Sequence, residues 1–538
     1  MTFWTSLVEQ VGSDPTFTLE HYTAVYADPF TYTALLNTGW FASVTVVVSL
    51  VFGLPIAWLV ERTDFRHKTL LYALMVVSII VPTFIVAMGW ILLLHPRIGF
   101  LNQWLQMAFG PGVVINISSV TGMGFVQGIS LAPLAFIMTA AAFKAMNPAL
   151  EEAAEVHGMS RAKIMWRVTL PLVSPAILAA AIYIFVVGVA AFDVPAVIGL
   201  ANRVYTFSTL IYVLALSPED VPQYGVPAAV GFMMFIFALL LTIWYSRVIR
   251  ASQRYQIVSG RGYKIKPVPL GRWRLAGSGF CVLFMLLGIG IPLLLVIWTS
   301  LLPFLQLPSL RALQFISFDQ YRNLDWSLVL RGAKNTGLLM LIVSTVTVFL
   351  AIPVAWVVIR SRSRWRFVIE FLVFLPHAMP AIIFAVAALL AGLFVLGETI
   401  PIYGTIWIIA IVYVVERLTF CSRVLNGSLI QIHDELEEAG YVSGMSAVSV
   451  IKRVFVPLIL PAILSVWLWT ALVTYRELTV ATVLFNPENI TLPVIVWNFW
   501  TAGGMGPASA VTMVMLAVLT PLVLIYWFTA GRRFGVVT

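Results

Sequence analysis

Long apolar runs, interrupted by short polar and basic stretches, set the pattern of this chain from residue 38 to residue 528. A helix that crosses a bilayer needs about 20 mostly apolar residues. Eleven segments are predicted as such helices: 38–60, 70–94, 124–143, 172–191, 228–245, 275–301, 338–358, 371–394, 402–420, 458–473 and 508–528. The fourth and tenth are short. The expected fold class is an all-α polytopic membrane protein. Basic residues gather in alternate loops, around Arg62, Arg66 and Lys68, then Lys144, Arg161, Lys163 and Arg167, and again at Arg247 to Arg274 and Arg360 to Arg366. Arg417, Arg423, Lys452, Arg453, Arg532 and Arg533 complete the series. Cytoplasmic loops carry such an excess, so these loops are placed inside and residues 1–37 outside. The one polar, basic stretch rich in Gly and Pro, residues 249–274, reads as a linker. It divides a first membrane domain, 38–248, from a second, 275–538.

Composition excludes several classes. The 538 residues are 61% hydrophobic and 10% charged, against about 25% charged in soluble domains. A lipid bilayer must therefore take up the apolar excess. The formal charge of +9 would point to nucleic acid only on one solvated basic face, and the basic residues are dispersed between apolar runs. No nucleic-acid partner is expected. Cys281 and Cys421 stand far apart, so neither a disulfide framework nor a cysteine metal site is expected. The start lacks a basic region followed by a short apolar core, so no cleaved signal peptide is expected. No phosphate-binding G-x-x-x-x-G-K-[ST] loop, HExxH pair or nucleophile elbow is present. The chain is expected to be no enzyme and to need no cofactor.

The two halves repeat each other. Asn37-Thr38-Gly39 recurs as Asn335-Thr336-Gly337, Pro55-Ile56-Ala57-Trp58 as Pro353-Val354-Ala355-Trp356, Arg62 as Arg360 and Pro82 as Pro380, all at an offset of 298 residues. GMSRAKIMWRVTLPLVSPAIL from Gly158 recurs as GMSAVSVIKRVFVPLILPAIL from Gly444, at an offset of 286. An even number of helices separates matched segments, so the repeat is parallel, about an axis along the membrane normal. Half two opens with segment 275–301 and only then reaches ISFDQYRNL, whereas half one begins almost directly at the counterpart, FTLEHYTAV. Half one is therefore expected to lack one helix.

The most informative stretch is a large cytoplasmic loop in each half. In NPALEEAAEVHGMSRAKIMWRVTLP, Asn147 and Pro148 would start a helix that breaks at Gly158. Ser160 would cap a second helix, ended by Pro171. In half two, Asp434 with Glu437 has the spacing of a capping box. Gly444 would break that helix, Ser446 would cap the next and Pro457 would end it. Small residues at Ala153, Ala154, Ala439 and Gly440 permit close approach by a partner.

The spacing of Glu152-Ala153-Ala154, Gly158, Val168 and Leu170-Pro171 resembles the signature of permeases of binding-protein-dependent ABC importers. Glu438-Ala439-Gly440, Gly444, Val454 and Pro457 carry the second copy, with Gly440 in place of the second Ala and Val456 in place of Leu. The resemblance covers most of residues 37 to 530. It implies a full complement of twelve membrane helices and two copies of a cytoplasmic ATP-binding subunit docked on these loops. A periplasmic substrate-binding protein and an inner-membrane location are implied with them. Fused permeases of this size look like those for ferric iron, with thiamine, phosphonate and polyamine systems as relatives. VAAFDVPAVIGLANRVYTFSTLIY and YRELTVATVLFNPENITLPVIVWNFW look similar to the corresponding ferric permease segments. The reading from a different class is an ion-coupled carrier.

Asp193 and Glu477 follow the fourth helix of each half, and an ionisable group in a membrane segment is a functional candidate. They are expected at similar depths, beside a translocation pathway that also includes Arg476. The structural alternative places both at the outer interface or pairs Glu477 with Arg476. Arg203 and Arg476 would suit an anion or a chelate. Which residues hold a metal is not legible. His95, His377, Glu416 and Arg417 read as helix-end residues.

Overall fold

A computed structural model describes residues 2–8, 16–216, 224–253, 267–361, 363–396 and 400–526. Among these, regular structure is helical apart from isolated bridges between Val8 and Phe17 and between Thr63 and Val268. Eight helices of the described residues are long and apolar enough to cross a membrane: Pro29–Arg62, Val120–Ala145, Arg161–Ala190, Gly225–Trp244, Trp273–Ser300, Trp326–Arg360, Ala447–Tyr475 and Met505–Ile525. Two of them, Arg161–Ala190 and Ala447–Tyr475, are longer than their apolar runs, because each begins in the preceding loop.

The remaining three expected spans differ from a plain helix. Segment 70–94 divides into Lys68–Ile80 and Thr83–Leu94, bent by 93°. Pro82 causes the break: its ring pushes Val81 into an extended conformation (ψ 127) and it has no N–H to donate. Segment 371–394 is likewise interrupted between Trp365–Phe374 and Ala381–Phe394 by a tight turn containing Pro376, with Pro380 just after it. Segment 402–420 starts late, at Ile406, in the helix Ile406–Leu429, which encloses Glu416, Arg417 and Arg423. Glu416 and Arg417 are thus mid-helix, not helix-end residues, and their side chains face each other at 3.6 Å. His95 does close its helix. The His377 side chain, Arg362, residues 254–266 of the linker, Arg532 and Arg533 lie outside the described residues. A further bent pair, Asp193–Asn202 with Phe207–Ala215 at 69°, has no counterpart among the expected segments.

Half one is built on the crossing of Pro29–Arg62 with Val120–Ala145. Gly124 and Gly128, one turn apart, let the backbones meet: a Cβ on Gly128 would lie 2.5 Å from that of Val48. Ser49 Oγ then donates to the Gly128 carbonyl at 2.9 Å. In lipid, packing and such hydrogen bonds hold helices together. The halves interlock through Trp273–Ser300, which belongs to half two but packs on half one. Its Phe280 and Phe284 rings lie 5.6 and 5.5 Å from that of Phe52, and Pro292 rests directly on Gly89.

Half one carries the outer end of the same element. Trp4-Thr5-Ser6-Leu7 repeats Trp298-Thr299-Ser300-Leu301. Thr2–Ser6 packs on Gly225–Gln253 as Ile291–Ser300 packs on Met505–Tyr526. The Ser6 and Tyr22 hydroxyls meet at 2.6 Å, and those of Ser300 and Tyr321 at 2.8 Å. Phe52 and Ile129, which Trp273–Ser300 covers, are buried, whereas their half-two counterparts Leu350 and Val415 are exposed.

Candidate functional site

Both signature loops fold as helix, bend, helix. In half one Asn147 Oδ1 accepts from the Ala149 amide at 2.9 Å, and Ala149–Val156 follows. Gly158 ends it at φ +77 and Gly444 ends Asp434–Val442 at φ +80. The closing hydrogen bonds are the same in both: Gly158 to Glu155 and Met159 to Ala154, Gly444 to Tyr441 and Met445 to Gly440. A left-handed conformation costs an L-residue about 1–2 kcal/mol. A Cβ on either glycine would meet nothing, so the backbone alone demands them.

The signature residues divide by face. Glu152, Ala153, Glu438 and Ala439 are at least partly exposed, while Ala154 and Gly440 turn inward and are buried. A Cβ on Gly440 would already lie 3.1 Å from Val450, which accounts for glycine there. Ser446 caps the next helix through the Ser449 amide, whereas Ser160 occupies its place without a side-chain cap. Pro171 and Pro457 do not end these second helices. A wide π turn, Met165–Thr169 or Ile451–Phe455, carries each into Leu170–Ala190 or Val456–Tyr475. Proline cannot donate to the carbonyl four residues back and its ring crowds it; the π turn relieves both.

Each loop is tied to the end of a spanning helix by an ion pair. Arg62, which is buried, pairs with Glu151, whose other oxygen accepts from Thr169 Oγ1 at 2.5 Å. Arg360 pairs with Asp434 and, at 3.6 Å, with Glu437. Asp434 and Glu437 therefore serve this tie and form no capping box. Glu437 repeats Glu151 at the offset of 286, just as Arg360 repeats Arg62 at 298.

The end of the linker straps across the half-one loop. Val268 donates to the Arg62 carbonyl at 2.8 Å and accepts from the Asp64 amide at 3.1 Å. Arg161 Nη1 donates to Pro269 at 2.9 Å. The Asp64 carboxylate receives the Leu270 amide at 2.9 Å and Arg274 at 2.6 Å. These donors, the amide foremost, hold its carboxyl below the usual carboxylate range.

Between the halves lies a half-buried charged cluster. Asp193 accepts from Thr83 at 2.8 Å and, across the halves, from Thr479 at 3.2 Å. Arg476, whose charge also acts on Asp193, donates to the carbonyls of Ile79 and Val81 at 2.7 and 3.2 Å. Those carbonyls belong to the bend at Pro82. Glu477 accepts from the Val480 amide at 3.1 Å and from the Tyr413 hydroxyl. Asp193 and Glu477 are not counterparts. Asp193–Gly199 matches Thr479–Leu484, so Thr479 aligns with Asp193 and Ala191 with Glu477. Both acids are half-buried and hydrogen-bonded within the helix bundle, as a charge in a membrane segment requires. Arg203 is exposed, in a left-handed conformation at φ 55, and takes no part.

Residues 49–254 and again 347–532 match the family described as "Binding-protein-dependent transport system inner membrane component". The chain belongs to that family. It is an inner-membrane transport component with two family domains in one polypeptide. It is similar to the "Ferric transport system permease protein FbpB" of Actinobacillus pleuropneumoniae, at 23% identity over 96% of this chain and 74% of that protein. A "Putative ferric transport system permease protein FbpB 1" of Haemophilus influenzae is 25% identical over 84% of this chain and 70% of its own length.

In this permease, sequence reasoning missed the ties made by Glu151 and Glu437, the latter read as part of a capping box, and missed Thr83 and Thr479. The first two were accessible: acid and arginine each recur at the repeat's own offsets. The threonines carry no signal in the sequence, since uncharged residues in apolar segments look alike until a neighbour is known.

Proposed function

We propose that this chain is the permease of an ATP-driven importer for ferric iron, with ATP hydrolysed by two copies of a partner subunit. The observation that carries the reading is the duplicated loop. Two exposed knobs share a left-handed glycine, a π turn and an arginine tie, as a pair of docking points for two identical motors requires. Glu152, Ala153, Glu438 and Ala439 form the exposed contact, Ala154 and Gly440 pack each knob, and Pro171 and Pro457 set the π turn that joins it to the membrane. A periplasmic binding protein delivers the iron. The substrate reading rests on the ferric permeases that align over most of the chain.

In this reading Asp193, Arg476 and Glu477 close the pathway between the halves. ATP binding draws the motors together, the knobs follow, and the halves part at this cluster. The motor can shift the equilibrium only through unequal affinity for the two states. Proteoliposomes holding permease, ATPase and iron-loaded binding protein are expected to take up ferric iron only with ATP. Uptake by the permease alone, driven by an ion gradient, would identify a carrier instead.

Gly158→Leu and Gly444→Leu are expected to uncouple hydrolysis from uptake. A Cβ at either position meets nothing within the permease, so the cost is backbone strain and obstruction of the motor cleft. ATPase and uptake are measured together in the assembled complex. Two variants that transport at the normal rate would remove the coupling role.

A further inference from the structure

The strap that lies on the half-one loop also walls a groove. The groove encloses about 730 Å³ between Pro29–Arg62 and Trp273–Met285, with the strap and Arg161–Ile164 at its cytoplasmic end. Its walls are apolar and include Val51, Pro55, Leu59, Gly277 and Phe280. Val51 is exposed, so the groove opens toward the lipid. Trp166 and Trp273 stand at its mouth, 73% and 76% exposed. Tryptophan takes such positions at the level of lipid headgroups. The same end carries Arg161, whose Nη1 already holds Pro269, and Arg272, which opens Trp273–Met285. Both are exposed. In half two the residues matching Arg161 and Trp166 are Ala447 and Lys452, so this pairing of cation with aromatic is not repeated.

We propose that this groove binds one anionic phospholipid, with an acyl chain along Val51, Leu59 and Phe280 and the phosphate between Arg161 and Arg272. Two features select this occupant. The apolar slot runs into the bilayer, and its other end, on the cytoplasmic side, carries Arg161 with Arg272 next to Trp273, while Glu152 and Glu155 line an adjoining pocket that shares Arg161. Basic pockets between membrane helices on that side recognise anionic headgroups. A zwitterionic lipid fills the slot equally well but gains nothing net from the two guanidinium groups. The bound lipid wedges the strap against the half-one loop, so one of the two knobs becomes sensitive to membrane composition.

The test is native mass spectrometry of the full-length permease, delipidated and titrated with dioleoylphosphatidylglycerol or dioleoylphosphatidylcholine. One phosphatidylglycerol is expected to remain bound where phosphatidylcholine does not. Each basic residue near a lipid surface is worth about 1 kcal/mol, so Arg161→Ala and Arg272→Ala are each expected to weaken retention about fivefold, and together about twenty-five-fold. Arg161→Lys with Arg272→Lys retains the charge and is expected to restore binding, which separates loss of the site from loss of the strap. Arg364→Ala with Arg366→Ala, a basic cluster of half two, is expected to change nothing. Equal retention of the two lipids, or retention unchanged in the double alanine variant, would overturn the proposal.

Discussion

Arg62→Ala combined with Arg360→Ala is expected to leave a permease that assembles with its ATPase yet transports at least tenfold more slowly. The physical reason is the tie between each knob and a spanning helix. Arg62 is almost fully buried and Glu151 is 16% exposed. Removing one partner of a buried pair leaves the other charge uncompensated, at a cost of about 3–5 kcal/mol. Glu151 would keep only its hydrogen bond from Thr169. In half two Arg360 also donates to the carbonyls of Leu429 and Ile432, so its loss frees the approach to the knob as well. Its contact with Asp434 contributes little, since Asp434 is 74% exposed and solvent screens it. The single variants should rank accordingly, with each loss confined to one knob. ATPase activity and uptake are measured in the same proteoliposomes. Hydrolysis that continues while uptake falls is the expected result; normal uptake in the double variant would show that the knobs transmit force by another route.

Arg476→Ala is expected to produce the largest loss of stability of any single substitution in the membrane interior. It removes two hydrogen bonds to the carbonyls of Ile79 and Val81, which Pro82 has left without helical partners. It also removes the cation whose charge acts on half-buried Asp193. Hydrogen bonds from a charged group are worth about 1.5–3 kcal/mol each, so the loss should be about 3–6 kcal/mol. Arg476→Lys should recover part of it, because a lysine supplies the charge but not the fork that reaches two carbonyls. Asp193→Asn in the Arg476→Ala background should also recover part, since an amide still meets Thr83 and Thr479 without a charge to compensate. Thermal unfolding in detergent, run as a double-mutant cycle, gives the interaction directly. Additive effects of the two substitutions would mean that the residues are independent, and the latch between the halves would be lost with them.

The loops were legible because their information is local. A left-handed glycine, a cap and a proline act within a few residues, and a duplicated spacing makes chance a poor explanation. Even so, the prolines misled: at Pro171 and Pro457 the chain absorbs the missing donor in a π turn, and nothing in the spacing distinguishes that from a stop. At Pro82 the same residue does break the helix, and there a long apolar run concealed the bend.

The sequence by itself determined the membrane setting, the two-fold repeat and the place of both knobs, since hydropathy and repetition follow from residue order alone. Only the tertiary structure decided that Asp193 answers Thr479, that Arg476 closes the bend at Pro82 and that Pro292 settles on Gly89. Each of these joins residues hundreds of positions apart, one from each half. The offset of a repeat aligns the halves with each other but does not say which faces meet, and a buried charge shows its partner only once the surrounding helices are in place.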